Sequence, residues 1–173
     1  MKNIAIGLFV LITMQLNAQN NITSDSLSVK SIDGIVNAAF NILSKLEGDV
    51  RNLEKIRNLY LPTAKFTILN HPTDSIPLTY ESVSLEEFFE YMQDEQEYYE
   101  KGFSQYELGK VINQYNGIAN VFQSFYAKDS ENQEVKGITS YQLLYFNERW
   151  WISDVLWTTD SNGIQIPEKY LKN

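Results

Sequence analysis

The chain has 173 residues and a formal net charge of −8, with one His and no Cys. This is the length of one domain with its own core. The acidic balance argues against nucleic acid and anionic membranes as partners, because both are polyanions. One imidazole and no thiolate exclude a zinc site of such ligands within one chain. A carboxylate-only calcium site in Asp129–Glu134 is conceivable, but that loop lacks the spacing of the helix–loop–helix calcium motif, so we expect no metal. We also expect no cofactor.

The N-terminus has the three parts of a secretory signal peptide. Met1–Asn3 carries a positive charge, Ile4–Met14 is a nearly unbroken apolar run, and a small residue, Ala18, offers a cleavage site. The apolar run is too short to span a bilayer as a stable anchor. Because no Cys follows it, a lipid anchor on a mature N-terminal Cys is excluded.

These features predict the domain organisation and the compartment. We expect a signal peptide at 1–18, a polar, disordered leader at 19–27 and a single domain at 28–173. The mature product is then a soluble protein, exported to the periplasm or secreted, with no membrane anchor.

Two amphipathic helices are predicted next. Apolar residues recur at spacings of three and four from Val29 to Leu46, and again from Val50 to Leu59. Gly48 is placed as the C-cap of the first helix, and Pro62 is expected to stop the second.

Two strands and a third helix follow. We predict strands at 64–69 and 76–83, separated by a turn-rich loop that contains His71. Ser84 and Glu87 have the spacing of a capping box, which places a helix directly after the second strand.

Four longer strands complete the chain. They are predicted at 106–115, 118–126, 135–146 and 149–158. Asn116-Gly117 and Asn147-Glu148 are two-residue turns, so these strands form an antiparallel meander. The predicted class is α+β, with N-terminal helices packed on a curved antiparallel sheet.

The last strand is apolar on both faces. Simple alternation places Trp150, Ile152 and Leu156 on one face and Trp151, Val155 and Trp157 on the other. A sheet with one wet face should instead alternate apolar and polar residues. We therefore expect one face to pack on the helices and the other to meet a second copy, giving a homodimer through the sheet.

Several late segments resemble the nuclear transport factor 2-like (SnoaL-like) superfamily, in particular an uncharacterised exported branch of it. The matching segments are Tyr115–Val121, Gly137–Leu143, Arg149–Ile152, Trp157 and Ile166–Leu171. The resemblance covers about residues 28–172 and is most specific in the last third.

The resemblance implies a cone-shaped fold whose mouth opens between the sheet and the first helices, and dimers that form through the outer face of the sheet. Ketosteroid isomerases, scytalone dehydratase-like enzymes and polyketide cyclases of this superfamily work in that pocket, while many relatives do no chemistry. This chain has Asn120 where the branch has His, and Thr139 where it has Asn. Any proton chemistry done by that His is therefore lost here.

Two residues are weak catalytic candidates. Strict alternation places Asp154 against the core, where a carboxyl group acquires a raised pKa and can act as a general acid or base. A bulge would instead turn Asp154 to water. His71 lies in a loop near the expected mouth, and imidazole is a side chain that often transfers protons in enzymes. Tyr106, Tyr141 and Tyr145 are possible phenol donors.

A second set of residues is predicted to contact a ligand inside the cone. Its members are aromatic or polar strand residues: Tyr106, Asn120, Phe122, Ser140, Tyr141, Gln142 and Trp150. The aromatic residues can equally belong to the core, and the polar residues can face outward.

Three functions stay open from the sequence. The first is a non-catalytic domain that binds an apolar or aromatic small molecule. The second is an isomerase, dehydratase or cyclase that uses Asp154 or His71. The third is a structural or partner-binding module whose own Tyr and Phe side chains fill the cone.

Overall fold

The structure is a computed structural model that describes residues 28–41, 53–72, 77–94, 102–129 and 131–171. The predicted signal peptide (1–18) and leader (19–27) lie outside these residues, and so does the end of the first predicted helix with Gly48. None of the helices within the described ranges has the length and apolarity needed to cross a membrane.

The three α-helices of the described residues are short and lie on one face of the sheet, and a 3₁₀ helix lies on the other face. Helix α1 spans Ile32–Asn41, α2 spans Leu53–Arg57, α3 spans Leu85–Asp94, and a 3₁₀ helix spans Glu168–Tyr170. The predicted apolar spacing in α1 is confirmed, because Ile32, Ile35, Val36, Ala39 and Phe40 are all buried.

Six strands form one curved sheet. They are β1 (Tyr60–Asn70), β2 (Thr79–Ser84), β3 (Ser104–Tyr115), β4 (Ile118–Lys128), β5 (Glu134–Phe146) and β6 (Arg149–Thr159). The spatial order is β2-β1-β6-β5-β4-β3, with β2 and β3 at the edges. The α+β class is confirmed, although β1 pairs with β6 in parallel and all other neighbours are antiparallel.

Strand β1 begins earlier than predicted. It starts at Tyr60 and includes Pro62, which was expected to end a helix. The β1–β6 register shifts between Tyr60 and Lys65, so Pro62 lies in an irregular part of the ladder. A strand tolerates Pro at such a position because the missing N–H breaks no regular pairing.

Both predicted two-residue turns are present. Asn116 and Gly117 have φ values of 43° and 84°, and Asn147 and Glu148 have values of 50° and 60°. Positive φ at both central residues is the pattern of the hairpin turn that suits the twist of antiparallel strands.

A bulge in β6 overturns the predicted faces of that strand. Ile152 pairs with Leu143 and Asp154 with Gln142, so Ser153 is an extra residue in the ladder. Beyond Ser153 every side chain changes face. Asp154 is therefore exposed, and its predicted place against the core is wrong, whereas the bulge alternative is correct.

The same bulge exchanges the apolar residues that follow. Val155 is buried on the helix side with Ile152, while Leu156 is turned away and is 49% exposed. The helix side is hereafter the concave face, and the opposite side is the convex face. The main core lies on the concave face, between the sheet and the three α-helices.

The capping box before α3 is confirmed. The Ser84 backbone N–H donates to Glu87 Oε2 (2.7 Å), and the Glu87 backbone N–H donates to Ser84 Oγ (3.3 Å). These hydrogen bonds satisfy donors that a helix N-terminus otherwise leaves free. Donation from the Ser84 backbone N–H and from the Ser84 hydroxyl to the Glu87 carboxylate lowers the pKa of that carboxyl.

We predict that Ser84→Ala lowers the free energy of unfolding by about 1 kcal/mol, because it removes the N-cap acceptor. Urea denaturation followed by circular dichroism measures the change. Ser82→Ala, two residues earlier on the exposed side of β2, is the matched control. An equal loss in both variants would contradict a specific capping role.

Candidate functional site

A cavity lies on the concave face, between the sheet, α1 and α3. Its volume is about 280 Å³. The lining comes from both helices and from β1, β3, β4, β5 and β6, because the curved sheet turns its buried side toward the helices. The segments 42–52 and 95–101, which follow α1 and α3, lie outside the described residues.

The described lining is mostly aromatic and aliphatic. Nine of its side chains carry no polar group: Phe40, Phe66, Phe88, Met92, Phe103, Phe125, Ala127, Val135 and Val155. Trp157 and Tyr60 add aromatic rings to this apolar surface. No Asp, Glu, Lys, Arg or His is among the described lining residues. The site is therefore suited to a neutral, apolar molecule.

Two buried phenols supply most of its polar character. Tyr60 on β1 and Tyr141 on β5 both line the cavity, and both are almost fully buried. Burial raises the pKa of the Tyr60 phenol. Burial also raises the pKa of the Tyr141 phenol, with smaller contributions from Tyr60 and Glu107. Both hydroxyls thus stay protonated and can act as hydrogen-bond donors.

Other polar groups of the lining are Gln105, Thr139 and Thr159. Gln105 Nε2 donates to the Phe40 carbonyl (2.6 Å), which ties β3 to the end of α1. Thr139 is the residue that replaces the Asn of the resembled branch, and it faces the cavity.

A polar network beside the cavity attaches α1 to the sheet. Lys110 Nζ lies 2.9 Å from Asp33 Oδ1 and 3.2 Å from Glu107 Oε2, and it donates to Asn37 Oδ1 (2.8 Å). Gln123 Nε2 donates to Glu107 Oε2 (2.8 Å). A second bulge explains why Glu107 and Lys110, three residues apart, both belong to this network.

That bulge lies in β3. Glu107 pairs with Phe125 and Gly109 with Ser124, so Leu108 is the extra residue. It brings Glu107 and Lys110, three residues apart, to the same concave face. Sequence reasoning missed this network, since alternation alone places the two residues on opposite faces.

The structure divides the predicted ligand contacts between the two faces. Tyr141 lines the cavity and stays a predicted ligand contact. Trp150 is on the concave face but packs edge-on against Tyr145, with ring centroids 5.4 Å apart, and does not line the cavity.

The other five lie on the convex face, so the expectation that they line the cone is corrected. They are Tyr106, Asn120, Phe122, Ser140 and Gln142. These five residues have even numbers, whereas the cavity residues on the same strands, β3, β4 and β5, have odd numbers. Successive side chains of a strand point to opposite faces, which separates the two sets.

Contacts on the convex face account for these residues. Asn120 Nδ2 donates to Ser140 Oγ (3.1 Å), and Tyr106 stacks on Tyr126 with centroids 4.8 Å apart. Phe122 stacks on Tyr170 of the 3₁₀ helix (5.4 Å). The C-terminal segment therefore covers part of this face.

Neither catalytic candidate reaches the cavity. Asp154 is exposed on the convex face, between Gln142 of β5 and Lys65 of β1. His71 lies after β1 in a separate depression of about 130 Å³, together with Ile138 and Asp160. Within the described residues, no cluster of three or more acidic or imidazole side chains could hold a metal.

Among the lining residues that sequence reasoning missed are the other polar ones: Tyr60, Gln105, Thr139 and Thr159. Tyr60 follows the predicted second helix, so its place in a strand was not evident. Thr139 lies two residues before Tyr141 on β5, so strand alternation could have found it, whereas Thr159 lies beyond the bulge of β6, which hides its face.

Solved structures show the same fold. A nuclear transport factor 2-like protein of unknown function from Pseudomonas putida has a TM-score of 0.57 at 6% identity, over 73% of this chain and 82% of that one. A candidate ketosteroid isomerase from Shewanella frigidimarina has a TM-score of 0.54 at 19% identity, over 72% and 92%.

A cystatin-like protein of unknown function from Nostoc punctiforme is similar as well. Its TM-score is 0.54 at 10% identity, over 73% of this chain and 86% of that one. No protein-family model matches the sequence, and no curated protein does. The chain thus has the nuclear transport factor 2-like fold, as the sequence resemblance implies.

The raised pKa values of the two cavity phenols predict alkaline destabilisation. A Tyr whose folded pKa exceeds its unfolded value of about 10 contributes its full stability below pH 10, and loses it as pH rises through the folded value. The free energy of unfolding should therefore fall above pH 10, and less steeply in Tyr141→Phe. Denaturant titrations at pH 8 to 11 measure the slopes, with the exposed Tyr115 replaced by Phe as control. Parallel slopes for wild type and Tyr141→Phe would contradict the assignment.

Proposed function

We propose that this protein binds a neutral, apolar or aromatic small molecule in the concave cavity and does not catalyse a reaction. The observation that carries the proposal is the composition of the cavity, which is aromatic, has two buried phenol donors and has no charged side chain or imidazole among its described lining residues.

The volume supports a ligand of moderate size. An apolar protein cavity of about 150 Å³ binds benzene, with six carbon atoms. By that measure a cavity of about 280 Å³ has room for about eleven non-hydrogen atoms, the size of a two-ring molecule.

The phenols support a ligand with an acceptor oxygen. Tyr60 and Tyr141 line the cavity, and each phenol can donate a hydrogen bond. A carbonyl or hydroxyl oxygen of a ligand would accept that hydrogen bond, which favours oxygenated molecules over pure hydrocarbons.

The same composition argues against proton transfer. A general acid or base works best when its pKa lies near the operating pH. The phenols are shifted away from neutrality, and Asp154 and His71 lie outside the cavity. An isomerase, dehydratase or cyclase is the second candidate, favoured only by the likeness to a candidate ketosteroid isomerase.

Binding can be tested with 1-tetralone, which has eleven non-hydrogen atoms, and with tetralin, which lacks the carbonyl. We expect calorimetry to show binding of both, with 1-tetralone the tighter. Tyr141→Phe should weaken 1-tetralone about fivefold, the worth of one hydrogen bond of about 1 kcal/mol, and leave tetralin unchanged.

Thr139→Trp should abolish binding by filling the cavity, because Thr139 lines it. Gln142→Trp is the matched control, since Gln142 lies on the same strand but faces outward. Failure of both ligands to bind the wild-type protein, or unchanged binding in Thr139→Trp, would refute the proposal.

We also propose export and dimerisation. The charged start, apolar run and small residue before Gln19 support a signal peptide. Exposed apolar side chains on the convex face, Leu156 (49%) and Ile118 (63%), support a second copy packed there.

The proposed dimer predicts that Leu156→Glu produces a monomer, because it places a charge in an apolar interface. Size-exclusion chromatography with light scattering measures the molar mass of the mature wild-type protein and of each variant. Leu78→Glu, at an exposed apolar residue before β2, should leave the dimer intact. A monomeric wild-type protein would refute the proposed dimer.

A further inference from the structure

A second apolar space adjoins the cavity. It is a groove of about 190 Å³ between α3 and the β1–β2 edge of the sheet. Four residues line both spaces: Phe66, Phe88, Met92 and Trp157. These four side chains therefore border both spaces.

The groove has an apolar floor, and its two polar side chains are hydrogen-bonded to each other. Ile68 and Val83 line it from β1 and β2, in addition to the four shared residues. Its polar lining residues are Glu81 and Tyr91, and the Tyr91 hydroxyl donates to Glu81 Oε1 (3.1 Å). Since these two groups already pair with each other, the floor offers an extended apolar surface.

From this continuity we propose that the cavity and the groove are two halves of one site, which takes an elongated neutral molecule with an oxygen-bearing head in the cavity and an alkyl tail in the groove. The inference rests on the proposed binding function and specifies its ligand class. By the measure of benzene in 150 Å³, the two spaces together hold about nineteen non-hydrogen atoms.

The Phe88 side chain, which lies between the cavity and the groove, can be displaced at small cost. Phe88 is half-buried on α3 and stacks on Phe66, with ring centroids 3.9 Å apart. Losing the stacking of one aromatic pair lowers the affinity for a ligand that displaces it about two- to twelvefold. Each methylene of the ligand that is buried in the groove raises the affinity about fourfold. About two methylenes in the groove therefore offset the loss of the stack.

A chain-length series tests the proposal. Straight 1-alkanols from hexanol to tridecanol are titrated against the mature protein, with tryptophan emission as the signal, because Trp157 lines both spaces. Affinity should rise about fourfold per carbon through tridecanol. Decanol already has the eleven non-hydrogen atoms that the cavity alone holds, so the rise beyond decanol reports on the groove.

Variants of the groove sharpen the test. Val83→Phe fills the groove, so the rise should stop near decanol and the shorter alkanols should bind as to wild type. Ser82→Phe adds the same ring one residue earlier, on the other face of β2, and should behave as wild type. Phe88→Ala removes the side chain between the cavity and the groove and should raise the tridecanol-to-octanol affinity ratio, a ratio that is internal to each variant.

The outcomes separate the two proposals. If no alkanol binds the wild-type protein, the proposed binding function fails. If short alkanols bind but affinity stops rising at decanol, or if Val83→Phe matches wild type at every length, the cavity binds alone and the two-part site is overturned.

Discussion

The extra residue Ser153 in β6 is the constraint on which the rest of the site depends. Its hydroxyl donates to the Gln142 carbonyl (3.2 Å), and it shifts the following residues by one position. Val155 and Trp157 therefore face the helices and form a wall of the cavity. Without the bulge, the carboxylate of Asp154 would face the core, where burial of an unpaired charge is costly.

The bulge at Leu108 in β3 complements the first. It places Glu107 and Lys110 on the concave face, where they reach α1 through Asp33. The bulge at Ser153 thus forms an apolar wall on one side of the cavity, and the bulge at Leu108 forms a polar attachment for α1 beside it. The buried Gln123 joins that attachment through Glu107, and its Oε1 has no hydrogen-bond partner among the described residues.

The sequence predicted the elements well because their signals are local. The capping box at Ser84, the turns at Asn116-Gly117 and the alternation along β4 each involve residues close in the chain. The faces of β6 were predicted wrongly because both are apolar, so the pattern contains no mark of a slipped register. The ligand contacts were predicted poorly for another reason: β4 and β5 pair without a register shift, and the predicted set included neighbouring residues such as Ser140, Tyr141 and Gln142, which lie on opposite faces. Five of seven predicted ligand contacts therefore lie on the convex face, and only Tyr141 lines the cavity.

In the proposed binding function, the two phenols and the uncharged lining determine which ligands the cavity accepts. An ionised ligand would lose its hydration on entry and would meet no opposite charge among the described lining residues, so burial acts against it. The raised pKa of each phenol keeps its proton in place for donation. A neutral ligand with one acceptor oxygen loses little on entry, because the phenol replaces its hydrogen bond to water. The proposed site therefore disfavours charged ligands, and its described lining contains no side chain that titrates near neutral pH.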